Sequence, residues 1–385
     1  MKTTGFLALV LSIIAGGIQA SENMTPILLA VPDAPVPFTA SDRRIHLVYE
    51  LQLTNFSSGD VTVEGVEVVG DGIALDTLDA AAVARRLQAA GLRTAAGTLA
   101  KSAQALLFLN IALAPGARVP SSLVHRVTLH VSAAPVNMRE LTETGGMTSV
   151  DRQPVALIGP PLAGARYVAA DSCCDASRHT RAALPVNGRV WLAQRYAVDW
   201  ERLNDSGQIY SGPRDKLESY AIFGQPVLAI ADAVVVSVTD DQPEQTPGAY
   251  PNNIALDAAD GNSITLDLGA HRYALYAHLQ PRSLRVGAGD SVHRGQVIAL
   301  VGDTGNSVVP HLHFQISSAP SSLASNGLPY EIDTFELTGK TAGGTDAFDR
   351  AESDGTVLPV TSTSPPITVK TALPLDQSIV SFAAQ

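Results

Sequence analysis

With 385 residues, the chain is longer than one hydrophobic core usually occupies, which points to two domains plus tails. A formal net charge of -11 argues against nucleic-acid binding, because phosphate neutralisation needs a basic surface. After the first residues no segment has eighteen uninterrupted apolar positions, so no membrane span is expected.

The chain opens with Lys2, an apolar run over residues 6–14, and the small residues Gly16, Gly17 and Ala20 before Ser21. That order is the pattern of a cleavable secretory signal over residues 1–20, which implies a secreted or periplasmic protein that is soluble once the signal is removed. Residues 21–150 then alternate apolar and polar side chains at period two around His46–Thr54, Val61–Val69 and Arg126–Val131, with a further apolar run over 105–113. Half-buried strands separated by the turns at 55–60 and at Pro115-Gly116 predict a small β-sandwich of the immunoglobulin-like type. An alanine-rich stretch over 80–90 predicts a short inserted helix. Residues 151–165, with Gly159-Pro160-Pro161, have the composition of a linker. A second domain is expected over 166–335, and the Ser-, Thr- and Pro-rich residues 336–385 have the composition of a partly disordered tail.

Chemistry concentrates in the second domain. The glycine-punctuated segment Gly302-Asp303-Thr304-Gly305-Asn306-Ser307 leads directly into Pro310-His311-Leu312-His313-Phe314. On a strand, residues two apart share a face, so His311 and His313 point together. One imidazole can bind a metal while the other moves protons beside it, which is what zinc hydrolysis requires. A His-x-His pair alone is more often two hydrogen-bonded histidines than a site. Here, however, Tyr276-Ala277-His278-Leu279 ends a strand-like run from Ile264, and Asp199 closes the apolar stretch 190–198. The glycines are read as tight turns and not as a nucleotide loop, because they lead into a strand and not into a helix.

These residues resemble the lysostaphin-type (LytM-type) zinc metallopeptidase family, with a match from about Phe223 to Ile316. The resemblance implies a mainly β fold: an antiparallel β metallopeptidase domain following the N-terminal β-sandwich. It implies a Zn2+ cofactor held by Asp199 and His313, with His278 and His311 as catalytic histidines, and peptide linkages of bacterial peptidoglycan as the substrate. The net charge of -11 gives no electrostatic help toward an anionic wall. One position departs from the family pattern. The family places a histidine four residues before the aspartate, where this chain has Arg195, and a guanidinium has no lone pair to offer a metal.

His179, folding back across the Pro185-Val186-Asn187-Gly188 turn, would restore a set of two histidines and one aspartate; otherwise it is a surface histidine in a basic loop. If no third ligand is supplied, the resemblance implies a catalytically degenerate domain that binds cell wall or activates another cell-wall hydrolase. The adjacent Cys173 and Cys174 leave four readings open: a vicinal bridge, an intermolecular bridge, free thiols, or thiolate ligands completing the metal site.

Overall fold

The computed structural model describes residues 24–175 and 178–383. The expected signal over residues 1–20 lies outside them. Among the described residues no helix is long and apolar enough to cross a membrane.

The first half of the chain forms two five-stranded antiparallel sheets packed face to face. One sheet runs Ile27–Ala30, Ile45–Asn55, Gln104–Leu113, Leu87–Ala89, with Phe38–Thr39 added at one end. The other runs Glu140–Ser149, Ser122–Val131, Val61–Gly70, Ile73–Asp79, with Thr98–Leu99 beside Val61–Gly70. Leu47, Tyr49, Leu51 and Leu53 alternate along one strand and meet Val61, Val63, Val66 and Val68 from the facing sheet in one apolar core. The helix expected over 80–90 is shorter, Ala80–Ala84, capped by Asp79 accepting from the Ala82 N–H at 2.7 Å. The chain then turns back as the strand Leu87–Ala89, because pairing Leu87 with Leu107 buries it and overrides alanine's helical preference.

The second half is built on one eleven-stranded sheet. Its order is Ala156–Ile158, Tyr330–Thr341, Ser378–Phe382, Gly164–Ala170, Val198–Arg202, Leu312–Ser317, Tyr273–Ala277, Ser263–Asp267, Ala233–Thr239, Ser291–Val292, with Val360–Ala372 also paired to Tyr330–Thr341. All pairings are antiparallel except that of Ala156–Ile158 with Tyr330–Thr341. A two-stranded sheet of Pro226–Leu228 and Val297–Leu300 contributes Val227, Ile298 and Ala299 to the same core.

Two compositional expectations are corrected. The segment read as a linker contains the edge strand Ala156–Ile158, and the next strand, Gly164–Ala170, lies in the interior of the sheet. The segment read as a disordered tail holds the helix Gly344–Asp354 and the strands Val360–Ala372 and Ser378–Phe382. Its polar composition has a structural cause. Val360–Ala372 pairs with one neighbour only and is mostly exposed, and a register shift skips the part of the strand that holds Pro365 and Pro366, which have no N–H to donate.

The two halves share a junction. Phe38, Ala40 and Val48 from the sandwich belong to the apolar core of the large sheet. The Phe38 ring meets Tyr196 edge-on at 5.4 Å, and the Tyr196 hydroxyl donates to the Val48 carbonyl at 3.2 Å. This explains why Ile45–Asn55 is buried on both faces along most of its length. Arg195 reaches into the same junction and grips Glu50 through two bonds, Nε to Oε1 at 3.0 Å and Nη2 to Oε2 at 2.6 Å. Both side chains are buried, and a pair of this kind is tolerated only because each charge has its partner.

Candidate metal centre and active site

Three neighbouring strands at the middle of the large sheet converge on the site. Asp199 on Val198–Arg202 sits directly across from His313 on Leu312–Ser317, and His313 sits across from Ala277, the residue before His278. His278 immediately follows the strand Tyr273–Ala277 with a left-handed backbone, φ 62°, and its N–H donates to the Asp260 carbonyl at 2.9 Å. His311 immediately precedes its strand. The sheet thus delivers Asp199, His313, His278 and His311 together: the His278 and His311 rings are 4.6 Å apart, and those of His278 and His313 are 6.0 Å apart.

His179 joins them from outside the sheet. After it the chain makes the hairpin Leu184–Val186/Arg189–Trp191, turning at Asn187 and Gly188 with positive φ, and returns to the Asp199 strand. The His179 Nε2 lies 3.4 Å from Asp199 Oδ2, and the His179 and His313 rings meet edge-on at 4.9 Å. The donor atoms of His179, Asp199 and His313 all lie within 4.8 Å of one another.

The hydrogen bonds around the imidazoles fix which nitrogen faces the centre. His179 Nδ1–H donates to the Asp171 carbonyl at 3.0 Å, leaving the Nε2 lone pair directed at Asp199. His313 Nε2–H donates to Gln315 Oε1 at 3.0 Å, leaving Nδ1 at 2.8 Å from Asp199 Oδ1. Two imidazole lone pairs and a carboxylate, each imidazole oriented by a bond from its other nitrogen, fit a three-ligand catalytic zinc site. His278 Nδ1–H donates to the Thr304 carbonyl at 2.7 Å, and His311 Nδ1–H to the Val309 carbonyl at 2.9 Å. Both keep Nε2 free, and that of His311 is 3.5 Å from Asp199 Oδ1.

The glycine turn holds this arrangement. Gly305 has φ 75°, and a Cβ there would come within 2.3 Å of the Gly261 backbone nitrogen; Gly261, φ 60°, packs equally close to Thr304. Two backbones in contact therefore place the Thr304 carbonyl on His278, and Thr304 Oγ1 accepts from the Asn262 N–H at 2.8 Å.

Burial alone would raise the Asp199 carboxyl, but His179, His311 and His313 outweigh it and hold the group well below the ordinary carboxylate range. Burial pushes His179 down to about 4 and drives His278 well below its usual value, so both are neutral near pH 7. Burial also disfavours the His313 cation, but in that cation Nδ1–H donates to Asp199 as well as Nε2–H to Gln315, and the bond and charge of Asp199 prevail and raise it; the neutral ring keeps the Nε2 proton and leaves Nδ1 as a lone pair. Beyond the histidines, burial raises Glu201, and the neighbouring Glu352 of the helix Gly344–Asp354 raises it further.

The residues singled out from the sequence, Asp199, His278, His311, His313 and His179, thus lie in one cluster. Arg195 is not part of it, since its side chain is committed to Glu50. Cys173 and Cys174 are bonded to each other, which removes the thiolate-ligand reading. Tyr276 is a core residue that accepts a bond from the Ile230 N–H at 3.0 Å and does not line a groove. Gln315 and Glu201 were not anticipated, although each lies two residues beyond a site residue on the same strand face, a spacing that could have flagged them.

A family model described as Peptidase family M23 matches residues 218–325. Lysostaphin of Staphylococcus simulans is 42% identical over 74 residues, 18% of this chain and 14% of that protein. The DD-carboxypeptidase/endopeptidase Mpg of Neisseria meningitidis serogroup B is 35% identical over 117 residues, 30% of this chain and 22% of that protein. The chain therefore spans less than a quarter of the length of either relative. Among solved structures, the catalytic domain of the antimicrobial peptidase lysostaphin from Staphylococcus simulans has 22% sequence identity and a TM-score of 0.24, covering 42% of this chain and 88% of that one. Pseudoalterin, an M23 metalloprotease from the deep sea, has 14% identity and a TM-score of 0.28, covering 57% of this chain and all of that one. His278, His311, His313 and the glycine turn fall inside the matched residues, His179 and Asp199 fall ahead of them, and the chain carries a peptidase family M23 domain.

Proposed function

We propose that the chain is a zinc metalloendopeptidase that hydrolyses peptide bonds in peptidoglycan cross-links after export from the cytoplasm. The observation that carries this reading is the convergence of His179, Asp199 and His313 with their lone pairs inward, beside two histidines that present free Nε2 atoms. His179, Asp199 and His313 would hold Zn2+, which supplies Lewis acidity toward the scissile carbonyl and lowers the pKa of a water toward neutrality. His311 acts as the general base: the Val309 carbonyl holds its Nδ1–H, so Nε2 is free to take a proton. His278, kept neutral by burial and held by the Thr304 carbonyl, positions the attacking water through its own Nε2. Asp199 also faces His311 Nε2, and its charge stabilises the imidazolium formed when the proton arrives.

The test is to load the mature chain with zinc, incubate it with purified peptidoglycan and identify the released fragments by mass spectrometry. Metal-dependent appearance of cleaved cross-link peptides, lost with His311→Ala, is the expected result. A chain that retains no zinc and releases nothing, yet still binds peptidoglycan, would replace this reading with a non-hydrolytic cell-wall-binding or activator domain.

A further inference from the structure

We infer that the N-terminal sandwich is part of the machinery that sets metal affinity, acting through Arg181 as a positioning residue for His179. The inference rests on the reading of His179 as a zinc ligand. The three candidate ligands are held in different ways. Asp199 lies on an interior strand of the large sheet and His313 on the strand paired to it, so the sheet fixes both. His179 lies on no strand or helix. Its own side chain has one anchor on the distal nitrogen, the Asp171 carbonyl.

What locates its backbone is the pair of arginines around it. Arg178 forms an ion pair with Asp171, Nε to Oδ1 at 2.9 Å, and donates through Nη2 to Asp349 Oδ1 on the helix Gly344–Asp354 at 2.5 Å. Arg181 turns the other way, to the sandwich: Nη1 donates to the Arg85 carbonyl at 2.6 Å, and its guanidinium lies 5.9 Å from the centre of the Phe108 ring. Arg181 also reaches Asp175 at 3.3 Å, and Asp175 in turn accepts from Arg86 of the sandwich at 2.6 Å. Further along, Arg189 meets Asp33 of the sandwich at 3.3 Å. The loop is thus tied to the sandwich on both sides of the turn that returns it to Asp199. An imidazole misplaced by a fraction of an ångström loses the geometry a tetrahedral ion requires, and disturbing the groups that orient a ligand typically costs about 10–100-fold in affinity.

The experiment measures zinc affinity by competition with a chromophoric chelator on the full mature chain, well below the unfolding midpoint of each variant, for wild type, His179→Ala, Arg181→Ala, Arg181→Lys and Arg86→Ala. Arg181→Ala is expected to weaken zinc binding at least about tenfold, with partial recovery in Arg181→Lys. Arg86→Ala, which removes only the outer bond to Asp175, should lose less in the same direction, and it serves as the test if Arg181→Ala does not fold. A lowered unfolding midpoint with zinc affinity unchanged in the folded Arg181→Ala chain, or in Arg86→Ala where only that variant folds, overturns the inference and leaves these contacts a purely structural role. The controls separate the two readings. Loss of zinc in His179→Ala but not in Arg181→Ala sinks the positioning role alone, whereas unchanged zinc in His179→Ala sinks the ligand assignment and this inference with it.

Discussion

Arg195 Nη2 lies 2.6 Å from Glu50 Oε2, and that bond turns position 195 away from the metal centre and into the junction between the two cores. The residue four places before Asp199 therefore joins two domains, and the third residue of the group that could hold a metal is His179. Arg195→His in a His179→Ala background is accordingly expected to restore no zinc binding, as read by metal content per chain after dialysis. Glu50→Ala leaves the guanidinium buried without its counter-charge and should cost about 3–5 kcal/mol of stability, measured by urea unfolding. Recovery of a full equivalent of zinc in the double variant would show that position 195 can reach the site after all.

Gln315 should matter to the metal without touching it. Its Oε1 accepts from His313 Nε2, which in the neutral ring holds the proton there and leaves Nδ1 unprotonated and facing Asp199. Gln315→Leu frees the ring to rotate or change tautomer, and zinc affinity is expected to fall about 10–100-fold. Chelator competition reads this directly, and an unchanged affinity would mean that Asp199 alone orients the imidazole.

His311→Ala separates chemistry from binding. It removes the free Nε2 beside Asp199 but none of the three donors, so zinc should stay bound while kcat falls about 100- to 10,000-fold. Loss of the metal together with activity would instead assign His311 to the coordination sphere.

Glu244 gives a pH dependence whose sign can be worked out. Its Oε2 accepts from the Asp303 N–H at 2.6 Å, but burial, with the Asp303 charge adding to it, pushes the carboxyl up to about 7. In the unfolded chain it titrates near its usual value of about 4.3. Between those values the folded state binds more protons, so this group contributes stability at low pH that is lost as pH rises through about 7. Glu244→Gln abolishes that loss. Melting curves across pH 5 to 8 should show the variant gaining on wild type as pH rises, and parallel curves would refute the assignment.

What was legible in advance followed chain proximity. Tyr276-Ala277 and Leu312-His313 lie on strands whose period-two geometry orients side chains without help from distant residues, and His278 and His311 stand directly at the ends of those same strands. His179 was legible as a candidate only, because its approach to Asp199 depends on contacts its own neighbours do not encode: Arg181 on the sandwich and Arg178 on the helix Gly344–Asp354. Glu50, the partner of Arg195, reads locally as a polar position on a half-buried strand, and only the junction shows why a charge sits there. The last fifty residues were misjudged because an exposed, singly paired strand has the composition of a solvated tail.

The strand Ser378–Phe382 lies between Tyr330–Thr341 and Gly164–Ala170, and Gly164–Ala170 in turn flanks the strand of Asp199. The sheet that carries the candidate metal centre is thus completed by a strand made long after Gly164–Ala170. During synthesis Gly164–Ala170 must wait with one edge open until the chain has grown to residue 382, so the complete sheet forms only after every strand between the two has been made. A nascent chain, or one cut before residue 378, would expose an unpaired edge on the strand beside that of Asp199, an edge that Ser378–Phe382 covers once it is in place.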